Sequence, residues 1–170
     1  MLKMIENKIF KLAGANWSVL DKTEKGYVCI ADSIENRKFD RTSNDWKQSD
    51  LRKYLNGEFL AKLEAEIGAD NIVAFERDLL SLDGQTEYGN CEDKVSLIAV
   101  DEYRKYRALL PNTGAWWWTI TPDSTKCNGD TVWVSVVSPL GDLVHHHLYG
   151  RNFGVRPFCI FSSAIFESEE

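Results

Sequence analysis

The spacing of apolar residues changes twice along this chain of 170 residues, and the change limits the possible folds more than any other feature. Between residues 49 and 67 the apolar side chains recur at helical spacing, at Leu51, Leu55, Phe59, Leu63 and Ile67. Ser49 or Asp50 is a suitable N-cap, and Gly68 a suitable stop. A glycine in mid-helix, Gly57, costs about 1 kcal/mol relative to alanine. The segment therefore predicts two short helices or one kinked helix.

The flanking segments have the shorter period of β-strands. The stretches "NKIFKLAG", "NWSVLDK" and "GYVCIADSI" predict an antiparallel meander, and the chain from Trp116 onward predicts further strands with long loops. A short helix is expected over residues 101–109, capped by Asp101 and ending before Pro111. Because strands and helices follow in blocks, the sequence predicts an α+β fold in a single domain of residues 1–170.

The charge of the chain argues against two classes of partner. The formal net charge is −6, and no basic patch stands apart from acidic residues, so neither nucleic acid nor a membrane is expected as a partner. No signal peptide is recognised, which predicts a cytoplasmic protein, with a phage particle or signal-free export as alternatives. The four cysteines lack CxxC spacing and are expected to be reduced.

The sequence contains no motif of catalysis or cofactor binding. P-loop, GxGxxG, GxSxG, HExxH and zinc-finger patterns are missing, so no cofactor is expected. His145, His146 and His147 are consecutive, and neighbours on a strand point to opposite faces, so at most two could bind one ion. Two imidazoles make half of a zinc site, and no metal site is predicted. A calcium site in the stretch "STKCNGD" is an alternative, but the stretch has few acidic residues to bind the ion.

Residues 131–150, "TVWVSVVSPLGDLVHHHLYG", predict two strands joined by the turn "PLG". If the valines of the first strand face the core, Val136 opposes Val144, and His146 turns inward. The opposite face then carries Trp133, Ser135, His145, His147 and Tyr149. An outward tryptophan beside imidazoles indicates a binding surface. The alternative is that a loop or a helix covers this face.

Five segments in this order resemble a known family: "DWKQSDLRKYLNGEFLAKL", "EDKVSLIAVDEYRKY", "WWWTITP", "TVWVSVVSPLGDL" and "FGVRPFCIF". They are similar to an uncharacterised domain family of gut bacteria and their phages. That family resembles the C-type-lectin-like proteins, on the branch shared with formylglycine-generating enzymes and the variable proteins of diversity-generating retroelements. The resemblance implies two or three helices packed on small antiparallel sheets, with long C-terminal loops.

The resemblance also implies roles for particular residues. The positions with an implied structural role are Trp117, Pro122, Gly154, Arg156 and Pro157. The hairpin face and the resemblance together give the candidate ligand-binding residues: Trp118, Trp133, Ser135, His145, His147, Tyr149, Arg151 and Asn152. Trp118 also belongs to the fold-defining motif. Arg156 lies among apolar residues, so its charge is expected to pair with a carboxylate or with loop carbonyls. The family pattern is not met at Tyr54, where tryptophan is usual, or at Ile120, where arginine is usual.

These observations favour a non-catalytic recognition module for an unknown protein or carbohydrate ligand, in a prophage or host-interaction system. Two alternatives stay open, because fold alone does not fix function. The first is an enzyme, either an oxidase of the formylglycine type or a metal-dependent enzyme. Cys127 and Cys159 do not match the closely placed cysteine pair of those oxidases, so oxidase activity is not carried over. The second is a structural or assembly component of a phage.

Overall fold

The computed structural model describes Leu2 and residues 8–166, and it shows the predicted α+β class. The strands are β1 Ile9–Leu12, β2 Ala15–Thr23, β3 Gly26–Ala31, β4 Glu35–Arg37, β5 Ile72–Val73, β6 Phe75–Asp78, β7 Asn90–Asp93, β8 Trp117–Pro122, β9 Trp133–Val137, β10 Leu143–His147, β11 Phe153–Val155 and β12 Phe158–Phe161. The helices are α1 Asp50–Tyr54, α2 Leu60–Ile67 and α3 Val100–Lys105. Short 3-10 turns occupy Trp46–Gln48, Ala69–Asn71, Arg107–Leu109, Lys126–Asn128 and Ser163–Ile165.

Most of the strands belong to two five-stranded sheets. The first sheet has the order β1-β2-β3-β12-β5 and the second β10-β9-β8-β11-β4, while β6 and β7 pair with each other. Among the described strands the pairs are antiparallel except that of β8 with β11. Because β12 lies between β3 and β5, the late part of the chain completes the sheet begun by the N-terminal meander.

The helix predicted over residues 49–67 is present as one continuous helical segment. A π-helical turn, Leu55–Phe59, joins α1 to α2 and contains Gly57. Ser49 caps the start, because its hydroxyl accepts a hydrogen bond from Arg52 N at 3.0 Å. The glycine therefore coincides with a local widening of the helix and not with a break. No helix in the described part of the chain is both long and apolar enough to cross a membrane.

The second predicted helix is confirmed by α3 and the following 3-10 turn, but its cap differs from the prediction. The N-cap is Ala99 and not Asp101. Glu102 provides a hydrogen-bond acceptor for a backbone N–H at the start of the helix: its carboxylate accepts a hydrogen bond from Ala99 N at 2.9 Å. The same carboxylate forms an ion pair with the buried Arg77 of β6. One side chain thus caps α3 and holds it against β6.

A buried carboxylate joins the long helical segment to β7. The side chain of Asp93 is fully buried and accepts hydrogen bonds from Trp46 Nε1 and Arg52 Nε, each at 2.7 Å. One turn further along, Asn56 Nδ2 donates to Val95 O at 2.7 Å, and its amide oxygen accepts from Val95 N. Polar residues in and just before the helix thus fix it against β7 and the chain that follows.

The apolar face of the helical segment enters a core that both sheets share. Phe59 lies in one hydrophobic cluster with Trp17 of β2 and Trp118 of β8. A second, smaller cluster contains Tyr103 of α3 and Trp117 of β8, whose rings lie 5.7 Å apart. Because successive strand residues face opposite sides, the two neighbouring tryptophans of β8 belong to different clusters.

Replacing Asp93 with alanine should lower the free energy of unfolding by about 3 kcal/mol, because the Trp46 N–H and the Arg52 guanidinium lose their shared acceptor. Urea unfolding followed by tryptophan fluorescence measures the change. Asp70→Ala, at an exposed position after α2, is the matched control and should change stability by less than about 0.5 kcal/mol. Equal losses in the two variants would show that the Asp93 contacts contribute little.

Candidate functional site on the C-terminal hairpin

The hairpin of β9 and β10 has the register predicted from the sequence. The paired positions are Val136 with Val144, Ser135 with His145, Val134 with His146, and Trp133 with His147. Within the second sheet, β10 is the edge strand. The three histidines therefore alternate as expected, with His146 on the inner face and the other two on the outer face.

Four ring-bearing side chains form a row on the outer face, which we call the aromatic row: Trp133, His145, His147 and Tyr149. The Trp133 ring lies 4.9 Å from the His145 ring and 5.2 Å from the His147 ring. The His147 ring in turn lies 4.6 Å from that of Tyr149. Trp133 is 37% exposed, and Tyr149 and His145 are exposed as well. Mutual contacts thus orient the rings while part of their surface stays open to solvent.

Polar contacts hold both ends of the aromatic row. At one end, a carboxylate oxygen of Asp123 lies 2.9 Å from His145 Nδ1, and Asp123 N donates to Trp133 O at 3.0 Å. Burial raises the pKa of the Asp123 carboxyl, and the neighbouring His145 opposes that shift. At the other end, Tyr149 N donates to His147 Nδ1 at 3.2 Å, so a neutral His147 ring carries its proton on Nε2. The sequence analysis missed Asp123, whose only signal is its position directly after β8.

His146 packs edge-on against two rings on the inner face. Its ring lies 4.6 Å from Trp116 and 5.1 Å from Phe153. Burial lowers the pKa of His146, and the positive charge of Arg151 lowers it further. The neutral imidazole is therefore the favoured form here. The sequence analysis did not identify Trp116 or Phe153 as its neighbours, since both come from outside the hairpin.

Trp118 is not part of the ligand surface, and its assignment as a surface candidate is wrong. The side chain is 0% exposed. Its ring packs 5.6 Å from Phe39 and 4.8 Å from Phe153, and its indole N–H donates to Arg37 O at 2.8 Å. It occupies the face of β8 that joins the main core, so its role is structural.

Ser135 is also buried, at 1% exposure, although it lies on the same face of β9 as Trp133. At this end of the face α3 lies near the hairpin turn: Tyr103 Oη donates to Gly141 O at 2.6 Å, and Tyr103 and Val137 belong to one hydrophobic cluster. The alternative of a covered face therefore holds at this end, whereas the end at Trp133 is open.

Val144 was expected to face the core but is 40% exposed, because β10 is at the edge of the sheet.

The positions with an implied structural role are all buried: Trp117, Pro122, Gly154, Arg156 and Pro157. At position 154 a Cβ atom would lie 2.9 Å from Ser33 Oγ and 3.1 Å from Trp116 O. Only glycine permits such a close approach of strands. The last two surface candidates, Arg151 and Asn152, are exposed and directly follow the hairpin.

The chemistry offered by the hairpin is that of rings and hydrogen bonds. Among the residues that the structure describes, no three His, Cys, Asp or Glu side chains are grouped to hold a metal ion. Cys127 is exposed in the turn Lys126–Asn128, whereas Cys159 is buried in β12 opposite Cys29 of β3. Burial raises the pKa of the Cys159 thiol well above its ordinary value, which disfavours the reactive thiolate.

His146→Gln should reduce the loss of stability in acid. Because the folded protein lowers the pKa of His146 below its ordinary value of 6.5, the unfolded chain binds more protons, and stability falls as the pH drops from about 7.5 to about 5.5. The variant does not take up this proton on unfolding. Its melting temperature should therefore fall less between the higher and the lower pH than that of the parent protein. Thermal unfolding at both pH values measures the difference.

His147→Gln, on the outer face of the same strand, controls for the loss of an imidazole as such. Equal acid sensitivity of the parent protein and His146→Gln would contradict the linkage.

Comparison with known proteins gives one match. A domain of unknown function, DUF6273, matches residues 16–104, a region that contains the long helical segment and Asp93 and ends within α3. No curated protein and no solved structure matches the chain. Because the matched region covers more than half of the 170 residues, the chain belongs to the DUF6273 family.

Proposed function

We propose that this protein is a non-catalytic recognition module that binds a protein or a glycan through the aromatic row. The observation that carries the proposal is the row itself. Trp133 and Tyr149 keep ring surface in solvent on an edge hairpin, beside two imidazoles. A tryptophan held in a fixed orientation but left partly in water is typical of a binding surface. Burying its ring against a ligand removes apolar surface from water, which favours binding.

The geometry of the aromatic row is set before any ligand arrives. Ring contacts fix the Trp133 indole from both sides, and the close contact of Nδ1 with the Asp123 carboxylate fixes His145. Little side-chain entropy is then lost on binding. The row also combines apolar ring faces with imidazole and phenol groups that donate or accept hydrogen bonds, and the Asp123 carboxylate lies beside it. Sugar hydroxyls and peptide amides are both complementary to such a surface of apolar centre and polar edge.

For the fold, we propose the C-type-lectin-like type that the sequence motifs imply. A helical segment packed on the N-terminal sheet supports it, as does the return of the late strand β12 to pair with β3. Long connections and an open hairpin in the C-terminal half also agree with it. Under this proposal the aromatic row lies in the half of the fold that presents ligands, on loops and edge strands carried by a rigid scaffold.

The test uses a glycan array and a displayed peptide library, screened in parallel with the purified protein. A ligand from either screen should bind Trp133→Ala at least about 10-fold more weakly, because a central interface tryptophan often contributes 2 kcal/mol or more. The double variant Trp133→Ala with His147→Ala should abolish binding. Its melting temperature should stay within about 2 °C of the parent value, since both rings lie outside the core.

His146→Ala is the matched control, because it removes a ring from the same strand on the opposite face. It should lower the melting temperature and leave the affinity unchanged. A ligand that binds Trp133→Ala as tightly as the parent protein would refute the proposed surface, and two screens without a ligand would refute the proposed function.

A further inference from the structure

Trp116, the neighbour of His146, also lines a cleft of about 440 Å³. This volume is within the range of small-molecule sites. The apolar lining comes from several segments: Ile9, Leu109, Leu110, Pro111, Trp116 and Trp117. Two charged side chains, Arg156 and Asp32, line the same cleft. No residue of β9 or β10 takes part, so the cleft is distinct from the aromatic row.

Arg156 is the buried cation of this cleft, with an exposure of only 4%. Its Nε donates to Ala31 O at 2.9 Å, a carbonyl of strand β3 where a carboxylate or a loop carbonyl was expected, and its guanidinium lies 4.7 Å from the Trp117 ring. Nη1, however, is buried and has no hydrogen-bond partner among the described residues. A guanidinium has five N–H donors in a fixed fork that suits a carboxylate. An unpaired donor in the interior is unfavourable unless a ligand or water accepts a hydrogen bond from it.

Asp32 gives the cleft a negative group. Asp32 is exposed to solvent, whereas Arg156, which lines the same cleft, is buried. The two side chains form no ion pair with each other. Burial lowers the pKa of Arg156, and the charge of Asp32 opposes this shift. The cleft therefore holds two separate, opposite charges, and its electrostatic complement is a ligand that carries both signs.

We propose that the cleft binds a free α-amino acid with an apolar side chain. Its carboxylate accepts hydrogen bonds from Arg156, its ammonium group pairs with Asp32, and its side chain lies against the apolar lining. Leu109 is exposed and Trp116 is half-buried, so both offer apolar surface to such a side chain. The site goes beyond the recognition function proposed above and does not depend on it.

Other anions complement the cleft less well. Inorganic phosphate has no positive group, so Asp32 repels it. A simple carboxylic acid, or the C-terminus of a peptide, has a carboxylate for Arg156 but no adjacent ammonium group for Asp32. An amino-acid amide has the ammonium group but leaves Arg156 unpaired. Because each compound lacks one defined contact, their relative affinities identify the site.

Isothermal titration calorimetry of the whole protein provides the test. L-leucine, L-phenylalanine and L-tryptophan are titrated first, and the tightest of them is compared with its amide, with its deaminated acid and with inorganic phosphate. The amino acid should bind at least about 10-fold more tightly than each of the other three, because each loses a charge-assisted contact.

Substitutions then assign the two charged contacts. Asp32→Asn, at an exposed position, should weaken binding of the amino acid at least about 10-fold and should not weaken binding of the deaminated acid, which has no ammonium group to pair with Asp32. Asp70→Asn is the matched control and should bind like the parent protein. Arg156→Lys should weaken binding of both compounds, because lysine lacks the bidentate fork. If Arg156→Lys does not fold, Asp32→Asn still decides the outcome.

Trp133→Ala should keep full affinity for the amino acid, which separates this site from the aromatic row. The proposal is overturned if none of the three amino acids binds at about 10 mM, a concentration that would detect very weak affinity. It is also overturned if the amide or the deaminated acid binds as tightly as the amino acid. Water alone would then satisfy Arg156 Nη1.

Discussion

Asp93 accepts hydrogen bonds from an indole and a guanidinium in the protein interior, and this shared acceptor sets the position of the long helical segment. The helix has to be fixed in this way because its apolar side chains fill the core between segments that are distant in sequence. Phe59 and Trp17, for example, stack with ring centroids 6.5 Å apart. Trp46, Arg52 and Asp93 all lie in the region that matches DUF6273. What the family match covers is thus the scaffold, and the hairpin lies beyond it.

The two faces of strand β8 pack against two different hydrophobic clusters. Trp118 enters the core above the helical segment, while Trp117 faces α3 and Arg156. On this side Ser135 and Val137 of β9 are buried, whereas Trp133, at the other end of the strand, is 37% exposed. Tyr103 of α3 lies at the buried end, where its hydroxyl donates to Gly141 O at 2.6 Å. The exposure of the aromatic row therefore depends on tertiary packing as well as on the hairpin sequence.

Trp116 connects the two proposed binding surfaces. Its ring contacts His146 and Phe153 beneath the hairpin, and the same residue lines the cleft of Arg156. The aromatic row presents several partly exposed rings on an edge hairpin, and the proposed partner is accordingly a protein or a glycan. The cleft is concave and holds one buried cation, which suits a small ligand with its own charge. The two proposals therefore concern different regions of the molecule and different classes of ligand.

The sequence by itself determined the helix over residues 49–67, the hairpin register and the inward position of His146, because hydrophobic period and turn position are local properties.

The sequence could not determine contacts between distant segments. Ser135 alternates like a surface residue but is 1% exposed in the assembled structure. Asp123 meets His145 only because β8 and β10 flank β9. Arg156 reaches the carbonyl of Ala31, 125 positions earlier, and the cleft around it exists only once the residues after β3, the start of β8 and the loop after α3 have come together. Burial and partner choice at these positions depend on how the sheets and α3 assemble, and only the tertiary structure decided them.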